Sequence, residues 1–155
     1  MARLRSALAV FSISCTLTLS AATRIDDPKT FVANVYRRLI ATRPGDSSYT
    51  PPDDIYSARL AKLFRDDRRK AREGSVAWNF FFWVNGQDYA ISDLTVTSAD
   101  QGLDRKTVTA KFMNIDRTEE IRFDFLLNGR RWLLDGVHSA SGIPWTLSEV
   151  LKCSQ

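Results

Sequence analysis

Histidine occurs once and cysteine twice in 155 residues. Zinc needs three or four nitrogen, sulfur or carboxylate ligands held together, so a zinc site within one chain is not expected. The patterns H-E-x-x-H, C-x-x-C, G-x-G-x-x-G, G-x-S-x-G and the P-loop are all missing. Their absence removes the motif-based readings as metalloprotease, dithiol enzyme, nucleotide binder or α/β-hydrolase. No cofactor is expected. Also lacking is a clean run of about 20 apolar residues, the length a membrane-spanning helix needs. The formal charge is only +4, and two of the cations, Arg3 and Arg5, fall in the first five residues. No strong basic patch of the kind that binds nucleic acid is therefore expected.

What is present begins with a leader. Met1-Ala2-Arg3-Leu4-Arg5 is a short basic segment, Ser6 to Leu19 is apolar, and Ser20-Ala21-Ala22 supplies small residues. This reads as a secretory signal peptide over residues 1–22, with cleavage after Ala22 and a periplasmic or secreted product. A lipoprotein anchored at Cys15 is the alternative, although Ser12 stands where a lipobox wants an aliphatic residue. Residues 23–155 then form one α+β domain, large enough to bury about two-thirds of its unfolded surface without disulfides. Only Cys153 remains after cleavage, either a thiol on the C-terminal tail or a bond to another chain.

Asp27-Pro28 predicts a capped helix with Phe31, Val32, Val35, Tyr36, Leu39 and Ile40 on one face. It stops before Arg43-Pro44-Gly45. After the polar loop Asp46–Asp54, Asp53 is expected to cap a second helix, Asp54 to Arg72, with Ile55, Leu60, Leu63 and Phe64 inward. Its basic end, Arg65 to Arg72, suits the negative end of the helix dipole. Strands are expected at Ala90–Thr97 and Lys106–Phe112, the latter with Val108, Ala110 and Phe112 on one side. The capping box Thr146-Leu147-Ser148-Glu149 opens a short last helix.

Glu119 to His138 (EEIRFDFLLNGRRWLLDGVH) reads as a hairpin, because Asn128-Gly129 suits a two-residue turn with positive φ. That loop sets Phe125 opposite Trp132 and Phe123 opposite Leu134. The core face then carries Ile121, Phe123, Phe125, Trp132 and Leu134. The outer face pairs Arg122 with Asp135 and exposes Leu126, Leu133 and Val137, a surface on which a homodimer is possible. His138 lands at the rim on the core side, opposite Glu119.

The runs NGQDYAISDLTV (Asn85 to Val96), GRRWLLDGV (Gly129 to Val137) and TLSEVL (Thr146 to Leu151), with the two leading helices, carry a resemblance. Together they resemble a family of secreted bacterial domains within the nuclear-transport-factor-2-like superfamily, the cone-shaped, cystatin-like α+β fold. The resemblance spans Pro28 to Leu151. It implies N-terminal helices packed on a curved antiparallel β-sheet, a short C-terminal helix and a cavity at the open end. Members include cofactor-independent isomerases and cyclases as well as binding modules. No catalytic motif carries over residue by residue, so the label gives architecture rather than activity.

Two constellations carry chemistry. His138 with Glu119 is the acid–base candidate, since imidazole titrates near neutrality; a rim ion pair is the plainer reading. The aromatic stretch Trp78 to Trp83, with Tyr89, either fills the core or forms a lipophilic pocket. Trp78, Phe82, Tyr89, Trp132, His138 and Trp145 are the ligand-binding candidates, with Trp145 placed to close over a pocket. Asp93, by parity off the core face, is disfavoured as a pocket base. The first function is a non-enzymatic envelope domain holding an apolar ligand or a protein partner. The alternatives are a cofactor-independent isomerase, cyclase or hydrolase using His138 and Glu119, and an immunity-like inhibitor of a secreted toxin.

Overall fold

The computed structural model describes residues 23–42, 52–72 and 81–153. The expected leader over residues 1–22 with Cys15, Trp78, most of the loop Asp46–Asp54 and the side chain of Cys153 lie outside the described residues. Among the described residues three α-helices and a five-stranded antiparallel sheet make an α+β domain: α1 (Pro28–Ala41), α2 (Ala58–Arg72), β1 (Ile91–Asp100), β2 (Arg105–Asn114), β3 (Arg117–Asn128), β4 (Arg131–Ser139), β5 (Trp145–Thr146) and α3 (Leu147–Cys153). The strands lie in sequence order. Among the described residues no helix is long and apolar enough to cross a membrane, and no group of three metal-ligating side chains converges.

Helix α1 starts where the sequence marks it. The Asp27 carboxylate accepts from the Thr30 N–H at 2.8 Å, satisfying one of the free first-turn donors, and Pro28 occupies the first turn. Val32, Val35, Tyr36 and Leu39 point into the core, while Ile40, expected on that face, is half exposed. Helix α2 starts later than expected. Asp53–Ile55 form a short 3-10 turn instead, and the cap is Ser57, whose Oγ accepts from the Leu60 N–H at 3.2 Å. Ser57 is held for this by its own N–H, which donates to the carbonyl of Leu134 in β4 at 2.9 Å.

The inner face of the sheet packs on α1. Val108, Ala110 and Phe112 of β2 and Ile121, Phe123 and Phe125 of β3 are buried at the alternating positions a strand predicts. The aromatic stretch is not a strand where it is described. Phe81–Gly86 close a tight turn, with the Phe81 N–H on the Gly86 carbonyl at 2.9 Å and the Val84 N–H on the Phe81 carbonyl at 3.1 Å. A turn sends consecutive side chains in different directions, so Phe82, Trp83 and Val84 are all buried. Trp83 stacks on Phe123 at 4.7 Å, and Phe82 reaches Phe64 of α2. The turn's buried carbonyls are satisfied by side chains, as burial demands. The Tyr36 hydroxyl donates to the Trp83 carbonyl at 2.6 Å, and the Asn114 amide to the Val84 carbonyl at 3.1 Å.

The central hairpin forms, but its register departs from the sequence-based expectation twice. The loop is Gly129-Arg130, so Asn128 pairs with Arg131 and Leu127 with Trp132. A bulge then follows: Phe125 pairs with Leu134, Asp124 with Gly136, and Asp135 is the extra residue. The insertion reverses the parity of the rest of β4. Val137, expected outside, is fully buried in the core, and His138, expected inward, faces outward opposite Arg122. The Arg122–Asp135 pair therefore does not exist; Arg122 binds Glu120 at 2.6 Å. The outer apolar patch is also gone, because Val137 joins the core and Leu133 is already buried in the monomer.

Candidate functional site

β3 has an inward position left over at its N-terminal end. Ile121, Phe123 and Phe125 continue the core, and the same parity carries Glu119 inward, opposite Phe112. There the aromatic packing ends at a cleft of about 590 Å³. Its walls are Asn85 from the turn, Arg117, Thr118 and Glu119 from β3, and Ser141, Gly142, Ile143 and Trp145 from the segment entering α3.

Glu119 is the centre of this arrangement. Its side chain is only 3 % exposed. One oxygen, Oε2, accepts from the Asn85 amide at 2.9 Å. The other, Oε1, lies 3.8 Å from the Arg117 guanidinium, beyond direct hydrogen bonding, and that arginine side chain is 63 % exposed. Asn85 is oriented from both sides. Its Oδ1 accepts from the Trp145 indole N–H at 2.6 Å, so its NH₂ must face the carboxylate. It sits in the left-handed region at φ 54°, which asparagine tolerates better than most residues. The opposite wall is tied to β3 by Ser141, whose Oγ accepts from the Glu120 N–H at 2.5 Å. Behind the site, burial pushes the Tyr36 phenol well above its usual pKa, and the charge of Glu119 adds to the effect.

The other sequence candidates scatter. Trp145 shares the cleft with Glu119. His138 does not: it faces outward, 3.4 Å from Asp124, so the expected His138–Glu119 pair is not formed. Phe82 is core. Trp132 sits near the hairpin end of the sheet, where Lys106 lies 5.4 Å over its ring. Tyr89 lines a separate groove with Leu39, Ile40, Ile91 and Ile115. Asp93 is exposed at the irregularity in β1, off the core face as parity suggested.

Sequence reasoning missed Asn85 and Arg117 as site residues. Asn85 stands before Gly86 in an Asn-Gly pair, which in sequence signals a turn and no more, and only the fold shows that its side chain joins an indole to a carboxylate. Arg117 lies between the expected strand Lys106–Phe112 and the hairpin from Glu119, whereas β3 already starts at Arg117, after the two-residue turn Ile115-Asp116. Comparison of the chain with protein-family models, with curated proteins and with solved structures finds no match. The reading therefore rests on the cleft's own geometry.

Proposed function

We propose that the chain is a non-enzymatic binding domain of the bacterial envelope, exported by its leader, which holds a ligand or a partner's side chain in the Glu119–Trp145 cleft. One observation carries this reading. The cleft presents a withdrawn carboxylate oriented by an amide and walled by an indole, while the protein's one histidine lies on another face. General acid–base chemistry needs a second group able to exchange a proton near the first. The other charged side chain in the wall, Arg117, is a guanidinium, which donates hydrogen bonds and accepts none. The wall is mixed, with Thr118 and Ser141 beside Ile143 and Trp145. The occupant that suits it is amphipathic rather than purely apolar.

The nuclear-transport-factor-2-like cone is the architecture we attach to this reading. Two helices precede a sequentially ordered antiparallel sheet, α1 packs across the inner face, and the cleft opens at one end of the strands. The test is affinity capture from a bacterial envelope fraction, with mass spectrometry of co-purified small molecules and proteins. The wild-type protein should retain a species that Trp145→Ala loses. Identical recoveries from the two proteins would count against the cleft as the binding site.

A further inference from the structure

The geometry points to a primary ammonium group on an alkyl stem as the chemistry that the cleft recognises, with Glu119 Oε1 as its anchor. This rests on the cleft being the binding site, as proposed above.

A carboxylate removed from water is unfavourable unless charge or hydrogen bonds replace the lost hydration. Among the described residues Glu119 has one direct donor, the Asn85 amide on Oε2. That donor is fixed in place by Trp145, so it cannot turn to serve Oε1. Among the described residues the cation paired with Oε1 is Arg117, at 3.8 Å and largely in solvent. In the cleft wall, Oε1 thus has no direct donor among the described residues.

The number of open positions selects the cation. A guanidinium binds carboxylates best through two parallel N–H···O bonds, which need both oxygens. Here the Asn85 amide already holds one acceptor site on Oε2, which disfavours the parallel fork, while Oε1 is open to the single contact that a compact ammonium can make. Ser141 lies in the opposite wall, where its hydroxyl oxygen can accept one of the remaining N–H groups. Ile143, almost fully exposed at 88 %, and Trp145 give an apolar side along which a methylene stem can lie. Arg117 acts as a weak internal competitor that the incoming ammonium displaces.

Calorimetric titration of the purified protein with hexylammonium and with 1-hexanol tests this. The two probes share a stem and differ in charge. The expected result is binding of hexylammonium about tenfold or more tighter than the alcohol, as a charge-assisted bond in a sheltered site requires. Glu119→Gln, an isosteric change, should reduce the two affinities to parity while circular dichroism stays native. Arg117→Ala should tighten hexylammonium and leave hexanol unmoved. Equal binding of the two probes to the wild type, or a charge preference that survives Glu119→Gln, overturns the assignment but leaves the cleft as a binding site. Binding of neither probe overturns both. Nα-acetyl-lysine amide separates the sources: affinity like that of hexylammonium identifies a lysine side chain of a partner, and exclusion of it identifies a free amine.

Discussion

Asp135 and Glu119 are both withdrawn from solvent, yet the chain treats them in opposite ways. Asp135 is the less buried, with 18 % of its side chain exposed, and it has the fuller set of partners. The Ser57 hydroxyl donates to it at 2.6 Å and the Arg59 guanidinium at 3.3 Å, while Arg59 also reaches the Asp135 carbonyl. Burial pushes its pKa up, but the Ser57 hydroxyl and Arg59 outweigh that, so the carboxyl lies below its ordinary range. Glu119 is more deeply buried and has one donor among the described residues. A carboxylate matched by its neighbours joins two elements, here the start of α2 to the bulge of β4. On the binding reading proposed above, a carboxylate left short of partners in a cleft wall is the group that would meet a ligand's cation.

The comparison can be broken by mutation, and the largest effect is expected at Asp135. Asp135→Ala strands the Ser57 hydroxyl and frees Arg59, a loss of about 2 kcal/mol by chemical denaturation. Because the folded pKa is depressed, that stabilisation is present above the unfolded carboxyl value of about 4 and fades as pH falls below it. The gap between wild type and variant should therefore narrow on acidification. A gap that stays constant down to pH 2 would show that Asp135 acts through packing alone.

Ser57→Ala should follow at about 1–2 kcal/mol, since it removes the helix cap together with the hydroxyl on Asp135. The double variant with Asp135→Ala should cost less than the sum, because both changes break one bond. Tyr36→Phe removes the bond to the Trp83 carbonyl, and about 1 kcal/mol is expected at neutral pH. The folded phenol titrates above its unfolded value near 10, so its contribution is whole below that pH and is lost as pH rises past it. Wild type should lose stability above pH 10 more steeply than the phenylalanine variant.

Glu119→Gln is expected to have the smallest effect on folding, within about 0.5 kcal/mol of zero or stabilising, because it removes a sheltered charge with few partners. A loss as large as that of Asp135→Ala would show that the two carboxylates are equally structural, and the contrast would collapse.

Much of the scaffold is legible in the residues themselves. The Asp27 cap, the helical stripe of Val32, Val35, Tyr36 and Leu39, and the alternation of Val108, Ala110 and Phe112 are all local patterns. The site is harder to read. Glu119 and Trp145 were both candidates, but only the fold joins them, through an asparagine whose side chain the sequence marks only as part of a turn. The His138 assignment failed for a traceable reason. It assumed that parity runs unbroken from the turn, and nothing local announces that Asp135 leaves the ladder to meet Ser57 and Arg59. A bulge held by contacts with residues about 78 positions away is tertiary information.

Chain length at one point in β4 thus governs what the last third of that strand shows to the world. Excising Asp135 would exchange the tenants on either side of the sheet, sending Val137 to water and the imidazole into the oil. Gly136, where a methyl would stand 3.2 Å from the Asp124 carboxylate, leaves little slack for a substitute. Adding or removing a residue there rewrites the interior, whereas replacing His138 alters only the outer surface.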